Sequence, residues 1–486
     1  MVIMKTYDIV FLHPPRTFES FWPRLKRTIS RRLGFEREVI KPQYCQIPMG
    51  VVSLAASLDK EGYETKIFNL GLEQKVNPLF SLSRYIKSIN ARIFAIDLQW
   101  FVHSASALKV AEVCKREHPN SLTVLGGMTA TWFHRQIMER CPFIDVIVRG
   151  EAEYSMLHLV EFYVKKQRMD SVKGITYRQN GKIKETPQGE ILSNLDSIDP
   201  CRLDLIDKFD KYLRCDIIDC GEEKTNFFWI PIARGCIYNC AHCGGGQYSY
   251  SLLTGRKKIA LRSPEKVVYD IQLLREKGIR RVHLSHDPEI GGEKYYLDLL
   301  EKIKGAGADL SIYVEIFRLP VKGFIEKITK TFSEVIMAIS PETFSEDVRQ
   351  FIGRWFSNND FFKSLNLLKR KNVKAQVWFT IGLPGETLDL RWFESFKDFC
   401  EEIVKQEAYI IPPLTYTIDP NCLMAIESEK YGVRPLLKTF EDYKRICLSN
   451  KPLDWVGHET LTASREKIAA FTLYAYDYVT RLQRII

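Results

Sequence analysis

The 486-residue sequence predicts an α/β protein built from two successive parts and a helical C-terminal region. Short apolar runs alternate with amphipathic segments over residues 1–170, and the same alternation returns over residues 223–420. Strands and helices that alternate in this way form parallel sheets, so we expect the first part to be a doubly wound parallel sheet. The second part contains six strand–helix units, too few for an eightfold barrel, and predicts a partial (β/α)6 barrel.

Five short apolar runs are the predicted strands of the first part. Each run is followed by a segment whose apolar residues recur at helical spacing. The predicted strands lie at residues 7–15, 64–71, 91–100, 121–127 and 143–150. The helix predicted at 104–119 begins with a serine, which is a common helix-capping residue.

A predicted hairpin and linker, residues 171–222, separate the two parts. Asn180 and Gly181 lie between two alternating segments, and Asn-Gly is typical of the type I′ turn of a two-residue hairpin. The polar, proline-containing stretch at 193–207 is expected to lead from the hairpin into the second part.

The second part begins with a strand at 227–235 and continues through five more apolar runs. A helix with Pro264 in its first turn follows, as the preference of proline for that position predicts. The remaining strands are predicted at 279–287, 308–317, 333–342, 373–386 and 408–419. Residues 421–486 are expected to be mainly helical.

Composition favours a cytoplasmic globular protein. Apolar residues make up 45% and charged residues 27% of the chain, an ordinary balance. The net charge of +10 is spread along the whole length, so we expect no nucleic-acid partner. Lys5 and Asp8 interrupt the first apolar run, which is not typical of a signal peptide. No run approaches the ~18 apolar residues that a membrane span needs.

Three of the twelve cysteines, Cys236, Cys240 and Cys243, form a C-x3-C-x2-C cluster after the first strand of the second part. Structural zinc sites normally have four ligands, and iron–sulfur clusters usually take four cysteines. Three thiolates would leave one metal position open for a substrate. His242 is next to Cys243 and therefore poorly spaced as a fourth ligand. A zinc site or an inert thiol cluster remains the alternative.

A C-x3-C-x2-C motif directly after a first barrel strand resembles the radical S-adenosylmethionine (SAM) superfamily. The resemblance implies that the three cysteines bind a 4Fe–4S cluster, that SAM chelates its fourth iron, and that one electron cleaves SAM to a 5′-deoxyadenosyl radical. It also implies a low-potential electron donor of the flavodoxin or ferredoxin type. By this resemblance, the residues expected to contact SAM are His242, Ser285, His286, Asp287, Ser340, Glu342, Gly382 and Gly385.

One departure concerns the Gly-Gly-Glu sequence that many family members carry at the end of the second strand. Here that strand ends in "LSHDPEIGGE", so residues 285–287 occupy the expected place and the literal Gly-Gly-Glu, residues 291–293, follows later. Either group could bind the SAM amine, and we favour the strand end.

The series "DIVFLHPP", "LGGMTAT" and "VIVRGEAE" in the first part resembles the cobalamin-binding domain of one large radical SAM branch. Ligands of doubly wound sheets bind beyond the carboxyl ends of the strands. The resemblance implies cobalamin contacts from Gly71, Leu98, Gln99, Gly126, Gly127, Thr129, Thr131 and Glu151. A domain that keeps the fold without the cofactor is the alternative.

The first strand lacks the Asp-x-His-x-x-Gly motif that supplies the lower cobalt ligand in other cobalamin domains. "LHPPR" stands there instead, and His13 lies outside that motif. We therefore expect no histidine of that motif on cobalt, with Tyr44 of the segment 16–46, or water, at the lower face. Cys215 and Cys220 form the only other close cysteine pair and raise the alternative of an auxiliary cluster.

These resemblances imply a cobalamin-dependent radical SAM enzyme, expected to methylate an unactivated carbon of a peptide, protein or natural product. Carbon–carbon bond formation or ring closure on a lipid or isoprenoid is the second hypothesis, and a non-catalytic metal-binding protein is the third. Trp455, His458 and Glu459 are the predicted substrate-side wall, with an ordinary buried network as the alternative.

Overall fold

The computed structural model describes residues 5–18, 48–77, 79–165, 168–212, 218–219, 224–225, 227–307 and 309–483. Tyr44, Cys215 and Cys220 lie outside these residues, and with them the predictions of a lower-face group and of an auxiliary cluster. In the described part of the chain, no helix is both long enough and apolar enough to cross a membrane.

A seven-stranded sheet forms the N-terminal part of the described chain. Its strands are β1 (Thr6–His13), β2 (Thr65–Asn69), β3 (Asn90–Asp97), β4 (Leu122–Gly126), β5 (Val146–Val148), β6 (Ile175–Gln179) and β7 (Lys182–Glu185). The order is β2-β1-β3-β4-β5-β6-β7, and β1 to β5 run parallel. The strand order therefore reverses between β1 and β3, which is where open parallel sheets bind their ligands.

Helices cover both faces of this sheet. They are α1 (Met49–Lys60), α2 (Leu70–Val76), α3 (Leu82–Lys87), α4 (Ser104–Glu117), α5 (Met128–Trp132), α6 (His134–Arg140) and α7 (Glu153–Lys165). Val52 of α1 and Leu159 of α7 share one core with Ile9, whereas Val110 of α4 shares a second core with Val10. Because neighbouring residues of β1 face opposite cores, the predicted doubly wound architecture is confirmed.

The strands β6 and β7 form the predicted hairpin. Asn180 and Gly181 at its turn have φ angles of 50° and 75°, the left-handed region that a type I′ turn requires. β6 pairs antiparallel with β5, so the hairpin extends the N-terminal sheet. The domain boundaries expected at 170, 222 and 420 stay predictions.

A second sheet of six strands follows in the described chain. The strands after β7 number twelve in the described chain, and six of them form this sheet. The twelve strands are β8 (Ile218–Asp219), β9 (Lys224–Thr225), β10 (Phe228–Ile230), β11 (Ala233–Arg234), β12 (Ala260–Leu261), β13 (Arg281–Leu284), β14 (Ser311–Ile316), β15 (Glu334–Glu342), β16 (Lys374–Phe379), β17 (Tyr409–Ile410), β18 (Val433–Pro435) and β19 (His458–Thr460). The order β10-β13-β14-β15-β16-β17 is parallel throughout. The predicted partial barrel is confirmed.

The remaining helices separate the barrel strands and complete the C-terminal region. They are α8 (Phe209–Tyr212), α9 (Gln247–Thr254), α10 (Pro264–Glu276), α11 (Glu293–Gly305), α12 (Lys322–Ile328), α13 (Glu346–Phe351), α14 (Asn358–Arg370), α15 (Leu390–Lys405), α16 (Leu423–Ile426), α17 (Phe440–Cys447), α18 (Pro452–Trp455) and α19 (Arg465–Leu482).

Local capping explains where some of these helices begin. Ser263 accepts a hydrogen bond from the backbone amide of Lys266, and Pro264 occupies the first position of α10, as predicted. The serine cap expected at residue 104 is wrong. Ser104 already lies within α4, and no side chain caps that helix, because a short 3-10 helix runs directly into it.

The C-terminal region packs against both sheets. Tyr443 of α17 and Trp455 of α18 belong to the core on the α4 side of the N-terminal sheet. Ile468 of α19 belongs to the other core, which continues from the N-terminal sheet to the outer face of the barrel strands. The two sheets are thus joined by buried apolar contacts, whose burial stabilises by roughly 25 cal/mol per Å².

A buried ion-pair network also joins the two sheets. Glu151, just after β5, accepts hydrogen bonds from Arg256 at 2.5 and 2.8 Å and from Arg234 at 3.1 Å. Burial alone would raise the pKa of Glu151, but the hydrogen bonds and charges of the two arginines hold it below its usual value. The carboxylate therefore stays ionised at neutral pH, where both arginines need its charge.

Replacing Glu151→Gln should destabilise the contact between the sheets by about 3 kcal/mol, because it leaves Arg256 without its buried anion. Arg234 keeps its pairing with Glu153 at 2.8 Å. The expected result is a lower midpoint of thermal unfolding at pH 7. The pKa of Glu151 is depressed in the folded state, so its contribution is present at neutral pH and is lost as the pH falls through the acid range. The difference between wild type and variant should therefore shrink on acidification.

The exposed pair of Lys173 and Glu190 supplies the matched control. Glu190→Gln removes the same charge from a solvated ion pair and should leave the unfolding midpoint unchanged. An equal midpoint for both variants at pH 7 would show that the network at Glu151 does not hold the sheets together.

Candidate active site

A cavity of about 400 Å³ lies between the two sheets. His13, Asp97 and Gly126 line it from the carboxyl ends of β1, β3 and β4, and Trp229 and Arg234 line it from the first barrel strand and the segment after it. The cavity thus lies at the point where the strand order reverses, where the sequence analysis expects a ligand.

The predicted cobalamin residues divide into two groups. The following five line the cavity: Gln99, Gly126, Gly127, Thr131 and Glu151. Gly71, Leu98 and Thr129 are not among the lining residues; Thr129 donates a hydrogen bond to the carbonyl of Gln99 at 3.2 Å, and Leu98 donates through its amide to Gly126 at 2.7 Å. These contacts shape the strand ends around the cavity.

Two adjacent glycines at the end of β4 differ in the space that a side chain would find at each position. Gly127 has a φ of 110°, and a Cβ there would lie 2.6 Å from the backbone of Leu98 and Gln99. A Cβ at Gly126 would meet nothing closer than the Val148 carbonyl at 3.9 Å. Gly127 is therefore needed by the turn, whereas Gly126 leaves open a part of the cavity that a larger side chain would fill.

His13 is a lining residue that the sequence analysis set aside because it lies outside the expected motif. Its Nδ1 lies 2.8 Å from Oδ2 of Asp97, and Oδ1 of Asp97 accepts the amide of Gln99 at 3.0 Å. Burial alone would raise the pKa of Asp97, but hydrogen bonding to His13 lowers it. Only folding reveals this pair, because it joins residues 84 positions apart.

The three predicted cluster cysteines share one loop, residues 235–246, between β11 and α9. The amide of Tyr238 lies 3.4 Å from Sγ of Cys236, and the amide of Gly245 lies 3.3 Å from Sγ of Cys243. Amides directed at sulfur stabilise iron–sulfur clusters, so the loop fits the cluster that its three thiols predict. Its Gly244 amide is held by Asp419 at 3.3 Å.

Arg318, two residues after the end of β14, contacts the same loop. Its guanidinium lies 4.0 Å from the centroid of the Tyr238 ring and donates to the carbonyl of Gly353 at 2.8 Å. It also comes within 4.0 Å of Sγ of Cys240. A cation at this position would offset part of the negative charge of a thiolate-bound cluster.

His242 does not act as a fourth ligand beside the thiols in this structure. Its Nε2 lies 3.5 Å from Glu342, which also pairs with Arg354 at 3.0 Å and accepts from Thr380 at 2.5 Å. Burial alone would raise the pKa of Glu342, but His242 and Arg354 lower it to about 2. Two predicted SAM residues, His242 and Glu342, are therefore in direct contact; Ser340 lies two residues earlier on the same strand.

The predicted SAM residues at the end of β13 have backbone partners. Nε2 of His286 lies 3.1 Å from the carbonyl of Gly235, at the start of the cysteine loop, and Asp287 accepts amides of Glu289 and Phe317 at 2.9 and 2.8 Å. Ser285 continues the pairing with β10 through its amide. Burial raises the pKa of Asp287 to about 6.

Gly382 and Gly385 both have φ angles of 94°, which only glycine adopts without strain. A Cβ at these glycines would lie 2.7 Å from Ile468 and 3.1 Å from Val348, respectively, so these faces pack against protein. Glu386, which sequence analysis missed, closes the turn by accepting the amides of residues 382 and 383 at 2.8 and 3.0 Å. Burial raises the pKa of Glu386 to about 7.

The predicted substrate-side wall does not line the cavity. Trp455 is buried and donates to the Ser449 carbonyl at 3.0 Å, and Nε2 of His458 lies 2.7 Å from the carbonyl of Gly382. Glu459 pairs with Arg434. The contacts of Trp455 and His458 are those of a buried structural network, the alternative that the sequence left open, whereas Glu459 and Arg434 pair at the surface.

Two family models match the chain. The Radical SAM superfamily model matches residues 230–394, and the B12 binding domain model matches residues 39–160. The first range contains the cysteine loop, and the second contains most of the N-terminal sheet that faces the cavity.

Similar proteins cover most of the chain. An uncharacterized methyltransferase of Pyrococcus horikoshii is 29% identical over 346 residues, 70% of each chain. An anaerobic magnesium-protoporphyrin IX monomethyl ester cyclase of Rubrivivax gelatinosus is 24% identical over 419 residues, 80% of this chain and 70% of the relative.

Among solved structures, the radical SAM methyltransferase TsrM from Kitasatospora setae, with cobalamin and a [4Fe-4S] cluster bound, shares the fold. It superposes with a TM-score of 0.68 at 13% identity, over 97% of this chain and 89% of that chain. The two family models, together with the cysteine loop and the cavity, indicate a 4Fe–4S cluster, SAM and cobalamin as the cofactors. The chain therefore contains a radical SAM domain and an N-terminal B12-binding domain.

Proposed function

We propose that the protein is a cobalamin-dependent radical SAM methyltransferase that methylates an unactivated carbon of a peptide, protein or natural product. One observation carries the proposal. Arg234 lines the cavity, and Cys236, the first cluster cysteine, follows two residues later. Because two residues span at most about 7 Å, the cluster loop and the cavity adjoin.

When bound, the cluster with SAM supplies a hydrogen-abstracting radical, and cobalamin supplies the methyl group. The chain holds both reactants in one place, which replaces a bimolecular encounter by a positioned one. Phe11, Val124 and Met156 give the cavity an apolar lining that excludes water around a reactive carbon radical. Trp229 of the first barrel strand also lines the cavity.

The assignment of single residues to each cofactor is part of this proposal. Cys236, Cys240 and Cys243 are proposed to hold the cluster, and the contact between His242 and Glu342 supports a place for both in the SAM site. For cobalamin, the cavity lining supports Gln99, Gly126, Gly127, Thr131 and Glu151.

The expected partners follow from the chemistry. SAM cleavage needs a one-electron reductant, which we propose to be a flavodoxin- or ferredoxin-type protein. The described cysteines, nine in number, are all free thiols, as expected of a protein in a reducing compartment such as the cytoplasm.

Ring closure is the second candidate function, favoured by the likeness to the magnesium-protoporphyrin cyclase over 80% of this chain. The two reactions differ in their SAM products. Methyl transfer through cobalamin consumes one SAM as methyl donor and one as radical source, so S-adenosylhomocysteine accompanies 5′-deoxyadenosine. Ring closure yields 5′-deoxyadenosine alone. Measuring both products with the reconstituted protein therefore tests the proposal, and their joint formation supports methyl transfer.

Cys240→Ala should abolish iron binding as a 4Fe–4S cluster and all 5′-deoxyadenosine formation, because two thiolates do not retain the cluster. The measurement is iron content and product analysis after anaerobic reconstitution. Cys141→Ala, a buried cysteine outside the loop, is the control and should keep both. Substantial 5′-deoxyadenosine from the Cys240 variant would contradict the cluster assignment.

Gly126→Leu should block cobalamin binding, because the new side chain projects into the cavity and meets no protein atom closer than 3.9 Å at its Cβ. We expect cobalt content after incubation with hydroxocobalamin to fall at least about tenfold, a loss of about 1.4 kcal/mol. Iron content should stay unchanged.

Gly305→Leu is the matched control, since a Cβ there meets nothing within 4 Å and the residue lies at the end of α11, remote from the cavity lining. Retention of stoichiometric cobalt by the Gly126 variant would place cobalamin elsewhere.

A further inference from the structure

The barrel strands turn two different faces to their surroundings. Val282, Val314 and Val377 alternate outward and join the core beneath the barrel helices. The intervening residues face inward, where Tyr313 and Ala338 belong to a small separate cluster. The inner face of the barrel is therefore distinct from the main core, and its side chains surround the space below the cysteine loop.

Three inward-facing side chains of neighbouring strands touch one another. Trp229 is paired in register with His283, and His283 with Tyr313. The ring centroids of Trp229 and His283 lie 4.3 Å apart, and those of His283 and Tyr313 lie 4.6 Å apart. The rings form a continuous aromatic floor inside the barrel.

Glu315 stands above this floor. It lies two residues after Tyr313 and so on the same face, and its Oε1 is 3.9 Å from Nε2 of His283. Its side chain is 51% exposed, and its partner in register on β15 is the small residue Ala338. Arg354, the nearby arginine, is already paired with Glu342.

Two buried polar atoms of this group lack a hydrogen-bond partner in the described residues. Nε1 of Trp229 and Nδ1 of His283 are buried without a hydrogen bond in the described part of the chain, although His283 is only 2% exposed. Within the same residues, the carboxylate of Glu315 accepts no hydrogen bond, and Arg354, which acts on it only through its charge, is paired with Glu342. Buried polar groups are normally hydrogen-bonded, so this set points to a ligand that supplies the missing partners.

The group lies between the two cofactor sites. Phe317 and Arg318 follow Glu315 closely in sequence, and Arg318 comes within 4.0 Å of Sγ of Cys240. On the other side, Trp229 lines the cavity between the sheets. A molecule held on the aromatic floor would thus lie within reach of a radical formed at the loop and of a methyl group carried in the cavity.

The chemistry of the group selects a class of molecule. A half-exposed carboxylate that accepts no hydrogen bond favours a protonated nitrogen and disfavours an anion. Aromatic faces attract cations as well as flat apolar groups. We propose that Trp229, His283, Tyr313 and Glu315 form the substrate-binding site and that the substrate carries a protonated amine or guanidinium beside a flat apolar body. This inference rests on the proposed function, since it treats the barrel interior as the place of reaction.

Three indole compounds that differ in charge test the inference: tryptamine is a cation, tryptophol is neutral and indole-3-acetate is an anion. Each is dialysed to equilibrium against protein loaded with cluster, cobalamin and SAM. We expect tryptamine to bind at least about tenfold more tightly than tryptophol, and indole-3-acetate to bind most weakly. Equal affinities, tighter binding of the anion or no binding of tryptamine at millimolar concentration would overturn the inference.

Glu315→Gln keeps the shape of the side chain and should make the affinities of tryptamine and tryptophol equal. Glu334→Gln is the control, because Glu334 is paired with Lys374 at the other end of the barrel strands and should leave the tryptamine preference intact. A Glu315 variant that loses SAM affinity while keeping the tryptamine preference would assign the carboxylate to SAM and overturn the inference.

Binding is measured separately from turnover, so the failure of the proposed cation site can be distinguished from the failure of the proposed methyl transfer. A tryptamine preference that depends on Glu315, found with protein that binds no cobalt, would refute methyl transfer and leave the cation site in place. Cobalt, iron and both SAM products without any charge preference among the probes would support methyl transfer and refute the cation site.

Discussion

The structure depends on one constraint: the carboxyl ends of the N-terminal strands must face the first barrel strand and the segment leading into the cysteine loop across one cavity. Parallel strands bind ligands beyond their carboxyl ends, so the N-terminal sheet supplies one wall of the site and the barrel part supplies the other. Glu151 fixes this arrangement. Its carboxylate lies after β5 of the first sheet and binds Arg256 and Arg234, which flank the cysteine loop of the second. The same carboxylate lines the cavity, so the joint between the sheets is also a wall of the site.

The C-terminal region closes this arrangement from outside. Trp455 and Tyr443 pack into the core of the N-terminal sheet, and His458 contacts the turn at Gly382 of the barrel. These residues thus contact both parts of the chain, and His458 supports the turn that follows β16. Their position explains why polar aromatic residues near the C-terminus, which resemble a substrate wall in the sequence, are buried in a structural network.

Much of the fold could be predicted because it depends on local signals. The alternation of strands and helices predicts both parallel sheets, the Asn180–Gly181 dipeptide predicts the hairpin turn, and the spacing of three cysteines predicts the cluster loop. The closure of the glycine turn by Glu386 joins residues only three and four positions apart, so it could have been found from the local sequence. The pairing of His13 with Asp97 and the aromatic floor at His283 could not be predicted. Each joins residues through tertiary contacts, and nothing in the local sequence marks them. The serine cap at residue 104 failed for a related reason, since the preceding 3-10 helix already supplies the start of α4.

The central claim is that cluster and cobalamin occupy adjoining sites on one chain. Electron paramagnetic resonance of the loaded protein, reduced so that the cluster and cob(II)alamin are both paramagnetic, tests it most directly. We expect the cob(II)alamin signal of the loaded protein to be broader, or to relax faster, than the signal of Cys240→Ala protein that carries cobalamin but no cluster. Identical cob(II)alamin signals in the two proteins would mean that the two centres lie far apart and would contradict the account.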